Sequence, residues 1–230
     1  MKRISIALAT VISLSLGAVL VGCQSSSNSG SGTGNQTTQT AQDTAAFQLV
    51  KKTDQKLSAD DLKKAQTTIT QGKVSADKST LTFDQKDISL VVRTGPEDDM
   101  VSFRIQGIRN PTLVIPSGAT LKVLFVNTDD GMTHDFLIGA AKAPFGQHPD
   151  TANTVGSDRM QHAENEMFSA QELIISADQD GVFSYFCSVA GHAKKGMWGT
   201  LSVGKDAASQ KLPSGHDAGK TQNSGMNSTM

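Results

Sequence analysis

An all-β sandwich of seven to eight short strands, with one short helix ahead of it, is the fold this sequence predicts. Three observations predict it. Apolar residues alternate with polar ones at a period of two through the middle of the chain. Glycine, proline and Asn/Asp turn signals cut that pattern into short runs. Helical spacing with recognisable caps occurs in one place, before the alternation begins. The composition agrees: 230 residues, 37% hydrophobic and 19% charged, suit one domain with polar ends.

The first element is an address. Lys2 and Arg3 precede an uncharged apolar run from Ile4 to Leu20, and Leu20-Val21-Gly22-Cys23 closes it. This is the pattern of a secretory signal over 1–22, and its end resembles a bacterial lipobox, which implies cleavage before Cys23 and lipidation there. A membrane-spanning helix needs about 20 apolar residues, and this run is interrupted by Thr10, Ser13 and Ser15. Residues 24–42 hold only Ser, Asn, Gly, Thr, Gln and one Ala. Such a stretch buries too little apolar surface to offset its ordering entropy. Residues 23–46 are therefore expected to form a lipidated, flexible tether, 47–204 the domain, and 205–230 a second disordered segment containing His216, Met226 and Met230.

The helix starts at Ser58, which can cap, with Asp61 three residues on and Leu57 placed to staple onto Leu62. Leu62, Ala65 and Ile69 share a face, and Gly72 is expected to end the helix. It should pack on one edge of the sandwich. Strands are expected around Ile88–Val92, Val101–Ile105, Thr112–Ile115, Leu121–Phe125, Asp135–Ile138, Glu172–Ser176, Val182–Cys187 and Thr200–Val203. Gly95-Pro96, Asn110-Pro111, Pro116-Ser117-Gly118, Asp129-Asp130-Gly131 and Asp180-Gly181 separate them. Residues 140–170 break the rhythm with Pro144, Gly146 and Pro149. A loop of that length is functional or holds short elements of its own.

The chemistry concentrates near the end of the domain. Cys187, His192 and Met197 stand at equal intervals on one loop, and His134 lies upstream in Met132-Thr133-His134-Asp135-Phe136. A thiolate, two imidazoles and a weak axial thioether are the ligand set of a blue-copper electron-transfer centre. A rigid site held between the preferences of the cuprous and cupric ions reorganises little when the electron moves. Cys187 alone could be a small buried hydrophobe, Met197 could be core filler, and a Cys23–Cys187 disulfide would conflict with the lipobox. Met132, Met160 and Met167 read as packing or loop residues, and His148 and His162 as surface groups.

These residues carry a resemblance. The run from Cys187 through His192 to Met197-Trp198-Gly199 resembles the ligand loop of the cupredoxins. Gly72-Lys-Val-Ser, the stretch from Asn110 to Thr120, and Phe125-Val-Asn-Thr look most like the rusticyanin branch of that family. The resemblance implies a Greek-key sandwich and a single type 1 copper held by His134, Cys187, His192 and Met197. Asn127 and Asp135 would lie just behind the ligands. It further implies one-electron transfer outside the cytoplasm, no enzymatic turnover, a monomer, and redox partners such as c-type cytochromes. The His192 edge would meet partners through an apolar patch of Ala190, Gly191, Ala193 and Trp198, with Pro144-Phe145 beside it. Asp135 departs from the branch, which has a small hydroxyl residue there. A carboxylate close to copper should favour the cupric state and lower the potential.

Other copper classes do not fit. Position 191 is Gly, where a binuclear centre needs a second cysteine, and Cys187 is flanked by Phe186 and Ser188, not histidines. Zinc hydrolysis would need an open water position, usually beside His and carboxylate ligands. A net charge of −1 without a basic stripe argues against nucleic acid. The competing role is copper storage, sequestration or delivery through the same ligands.

Overall fold

The structure, a computed structural model, describes residues 45–162, 164–204 and 215–216. The expected signal, the lipidated Cys23, most of the tether, and Met226 and Met230 fall outside these residues. No helix among the described residues is long and apolar enough to cross a membrane.

Among the described residues, thirteen strands and one α-helix follow the chain: β1 Phe47–Leu57, α1 Ala59–Thr67, β2 Lys73–Val74, β3 Thr80–Thr82, β4 Asp87–Thr94, β5 Phe103–Ile105, β6 Ile108–Arg109, β7 Thr112–Ile115, β8 Thr120–Asn127, β9 Leu137–Gly139, β10 Val155–Gly156, β11 Phe168–Ala177, β12 Gly181–Phe186 and β13 Trp198–Val203. They form two sheets, ordered β1-β11-β8-β4-β5-β6 and β10-β9-β12-β13-β7-β3-β2. Most pairs are antiparallel, while β4 with β8, β7 with β13 and β3 with β7 run parallel. The predicted sandwich is present, and all eight expected strands lie at or within a few residues of observed ones.

Period-two alternation places the core. Ile88, Leu90 and Val92 of β4 and Leu121, Val123 and Phe125 of β8 point between the sheets and are buried. Phe103, Phe125, Phe136 and Tyr185 meet edge-on, tilted or stacked at centroid distances of 5.5–6.2 Å. Each buried aromatic of this kind stabilises the fold by roughly 1.5–3 kcal/mol. The Tyr185 hydroxyl donates to the Pro111 carbonyl at 2.6 Å, so its one polar atom is satisfied.

Three expectations change. The helix carries its capping box, with Ser58 accepting from the Asp61 N–H and the Asp61 carboxylate accepting from the Ser58 N–H. It ends at Thr67 with Thr68 as cap, and Gly72 serves close packing instead. A Cβ there would lie 2.9 Å from the Phe83 ring. The helix also covers an outer face, not an edge: Leu62, Ala65 and Ile69 pack on Val91, Leu124, Val126 and Ala170 of the six-stranded sheet. Finally, β1 runs where no strand was expected. It lines the edge of that sheet, paired with β11 from Phe47↔Ala177 to Leu57↔Phe168.

The region 140–170 holds β10, which extends the second sheet beside β9. Met160 forms an isolated antiparallel bridge with His134. Part of the expected tail is fixed as well. Arg109 donates to the carbonyls of Gly215 and His216, and Asn110 donates to Gly215.

Candidate metal centre

The site forms where the ends of three strands meet. Asn127 closes β8 in one sheet; Phe186 closes β12 and Trp198 opens β13 in the other. His134 follows the turn after β8. Cys187 follows β12, and Met197 precedes β13. Two antiparallel neighbours therefore hold both ends of the loop that bears Cys187, His192 and Met197.

That loop is wound by its own backbone. Cys187 N–H donates to Met197 C=O at 3.1 Å, and Met197 N–H to His192 C=O at 3.0 Å. His192 N–H donates to Val189, Lys195 N–H to Gly191 and Gly196 N–H to Ala193. Gly191 and Gly196 take φ of 81° and 112°, conformations that favour glycine. Asn110 pins the loop from outside, donating to Gly196 C=O at 2.8 Å.

His134 is positioned differently. Its backbone exchanges hydrogen bonds with Met160. Asn127, fully buried, shares the two protons of its Nδ2 among the carbonyls of Met132, Met160 and Gln161 at 2.9, 3.2 and 3.0 Å. One side chain thus ties the turn before His134 to the residue that bridges it.

All four predicted residues come together. His134, Cys187 and His192 offer donor atoms within 4.8 Å of one another, the one such group among the described residues. Cys187 Sγ lies 3.5 Å from His192 Nδ1 and 4.0 Å from His134 Nδ1. Met197 Sδ lies 3.2 Å from His134 Nδ1. His134, Cys187 and Met197 are fully buried, and His192 is 8% exposed.

The electrostatics suit a cation. Burial pushes the Cys187 thiol far above its usual range, and the nearby Asp135 carboxylate pushes the same way. A thiolate here persists only with positive charge beside it. Burial and the neighbouring His134 and Lys195 charges hold His192 down to about 4. Burial also lowers His134, against the opposing pull of Asp129. Both imidazoles are therefore neutral near pH 7, the form that ligates metals. One soft sulfur, two neutral imidazoles and a thioether match a type 1 copper site, so the residues present fit that ion.

The surroundings supply one residue that the sequence did not single out. Asp135 is buried, and its carboxylate accepts from the Ser188 N–H at 2.5 Å and from the Ser188 hydroxyl, with the Arg159 guanidinium 3.9 Å away. It stitches the segment that bears His134 to the residue after Cys187. Asp129 is the unforeseen group: its Oδ2 lies 3.2 Å from His134 Nε2, both side chains fully buried. Burial would raise its carboxyl, but the N–H groups of Gly131 and Met132 and the His134 ring outweigh that and hold it low.

Of the expected docking patch, Ala190 is exposed, while Gly191, Ala193 and Trp198 are buried. Trp198 packs with Phe145 and Phe186 at centroid distances of 5.9 Å to Phe145 and 5.2 Å between the two phenylalanines. His216 stands away from the ligands, its Nδ1 against the Arg109 carbonyl at 2.9 Å. His148 is exposed, and Met160 packs in the core.

Comparison with known proteins agrees with this geometry. The Sulfocyanin (SoxE) domain matches residues 78–210. The chain belongs to the sulfocyanin family. Within the wider cupredoxin class it is similar to rusticyanin from Acidithiobacillus ferrooxidans, 32% identical over 133 residues, covering 57% of this chain and 84% of that protein. Rusticyanin from Acidithiobacillus ferridurans is also 32% identical over 133 residues, 57% of this chain and 70% of that one. Solved structures give the same likeness. Reduced rusticyanin superposes with a TM-score of 0.61 at 29% identity, covering 66% of this chain and 99% of that one. Rusticyanin from Thiobacillus ferrooxidans gives 0.60 at 31%, covering 66% and 97%. This sulfocyanin domain thus has the cupredoxin fold that its ligand loop implied.

Proposed function

We propose that this sulfocyanin is an extracytoplasmic electron carrier that holds one type 1 copper ion through His134, Cys187, His192 and Met197. The observation that carries the reading is the convergence of His134 with the three donors of the 187–197 loop in a buried pocket. Copper bound there supplies a one-electron couple between its cuprous and cupric states. The chain's own residues do the rest. The two sheets hold the donors still, so that little must move when charge changes. The core aromatics beneath exclude water, which strengthens each electrostatic contact.

His192 is the electron's way out. It alone of the four reaches the surface, between exposed Ala190 and exposed Lys194 and Lys195. Redox proteins such as c-type cytochromes would dock there, on Ala190 and the ground around Phe145, with Gly191, Ala193 and Trp198 as the packed floor. The signal pattern ending in Cys23 supports export with a lipid anchor. Residues 24–46 would act as a tether that lets the domain meet partners near the membrane, facing the periplasm or the cell exterior. The chain acts as a carrier, not as an enzyme.

The test uses the copper-loaded full chain, a reduced c-type cytochrome and a copper chelator. Rapid, reversible bleaching by the cytochrome, faster than any loss of copper to the chelator, is the expected result. Copper loss that outruns electron exchange would favour copper storage or delivery. Ala190→Asp should slow the exchange while leaving the visible spectrum intact; an unchanged rate would remove this docking face.

A further inference from the structure

Asp129 meets His134 on the side of the ring turned away from the other donors. Its Oδ2 stands 3.2 Å from Nε2, while Nδ1 faces Met197 Sδ at 3.2 Å and Cys187 Sγ at 4.0 Å. The other carboxylate oxygen accepts the N–H groups of Gly131 at 2.8 Å and Met132 at 2.9 Å. The Asp129 N–H in turn donates to Asn127 at 3.1 Å. The carboxylate is thus surrounded by donors, which is the environment of an ionised, acceptor-only group.

Two consequences follow. An acceptor on Nε2 requires that nitrogen to carry the ring proton, which leaves the Nδ1 lone pair aimed at the sulfurs. A fixed negative charge, buried one ring away from the donors, favours whichever redox state of the centre is more positive. Losing an electron adds one unit of positive charge to the centre, so the favoured state is the oxidised one. Asp135 makes the contrast, since its two oxygens engage Ser188 and an arginine lies beside it.

We propose that Asp129 is the positioning residue of the centre: its hydrogen bond sets the tautomer of His134, and its charge lowers the reduction potential. This rests on the copper reading above and goes beyond it. The hydrogen bond and the charge separate in two variants. Asp129→Asn keeps a carbonyl able to accept from Nε2 but removes the charge. Asp129→Leu removes both.

In the copper-free full chain, nitrogen-15 NMR reads the His134 tautomer directly. The expected result is the Nε2–H form in wild type and in Asp129→Asn, and a mixture in Asp129→Leu. A wild-type ring protonated on Nδ1 would overturn the proposal without any variant or metal. In the copper-loaded chain, Asp129→Asn should be at least tenfold more reduced than wild type at the wild-type midpoint, equivalent to about 59 mV for one electron. A ratio within threefold of wild type would overturn the charge assignment. Copper-loaded wild type without a type 1 spectrum would instead sink the copper reading, and the tautomer result would still decide the role of Asp129 toward His134.

Discussion

The two segments that bring donors to the site are built in opposite ways. The loop from Cys187 to Trp198 carries three of them and is held by its own backbone, with hydrogen bonds among Cys187, Val189, Gly191, His192, Ala193 and Met197. The segment from Asn127 to Asp135 carries one, and side chains hold it: Asn127 on three carbonyls, Asp129 on two N–H groups and a ring nitrogen, Asp135 on Ser188. The first should be sensitive to backbone conformation and tolerant of polar side-chain loss. The second should be the reverse.

Asn127→Ala gives the largest expected effect. It takes this donor from the Met132 and Gln161 carbonyls, while Met160 C=O keeps the His134 N–H, and each group left unsatisfied costs about 1–3 kcal/mol. With partial relaxation the loss should be roughly 2–4 kcal/mol by chemical denaturation of the copper-free chain. The copper-loaded form should give a heterogeneous spectrum, because the turn before His134 is no longer fixed. A loss below about 1 kcal/mol would break the contrast.

Gly196→Ala comes next, from the other segment. A φ of 112° is strained for any residue with a Cβ, which costs on the order of 1–3 kcal/mol. Equal thermal stability to wild type would mean that the loop is not backbone-held.

Gly215→Ala probes the pinning of that loop from outside. A Cβ there would fall 1.8 Å from the Trp198 carbonyl oxygen, so the segment must lift away from Arg109 and Asn110. The expected loss is about 2 kcal/mol, for the three hydrogen bonds that Arg109 and Asn110 donate to Gly215 and His216. The Asn110–Gly196 bond remains, so the visible spectrum should not change. A changed spectrum would extend the site to this segment.

Asp135→Ser sets the lower bound. Asp135 joins the two segments, but its charge is shared with Ser188 and Arg159. Redox titration should show a smaller upward shift than Asp129→Asn. An equal or larger shift would return the main electrostatic role to Asp135.

The same difference explains what the sequence reveals. Cys187, His192 and Met197 are legible because backbone-held ligands must be close in sequence, so their spacing is itself the signal. Strands β4 and β8 are legible because buried residues alternate with more exposed ones over much of their length, and β7 and β13, buried throughout, because they are short runs bounded by turn or loop signals. Strand β1 is not, since an edge strand exposes Lys51, Lys52, Asp54 and Lys56 and keeps few apolar residues. Asp129 is hidden for another reason. In Asn127-Thr128-Asp129-Asp130-Gly131 it reads as turn chemistry, and one of its oxygens does bind the turn. Only the second oxygen meets His134, and nothing in the local pattern distinguishes the two. The helix cap shows from Ser58 and Asp61, but the surface that the helix covers depends on strands far along the chain.

Four side chains from two differently built segments must share one metal ion, and electron paramagnetic resonance of the copper-loaded chain, recorded with its visible spectrum, tests this most directly. Narrow copper hyperfine splitting with intense sulfur-to-copper absorption, both abolished in Cys187→Ser, is the predicted result. Broad splitting from a colourless protein, or a spectrum that survives the loss of the Cys187 sulfur, would contradict it.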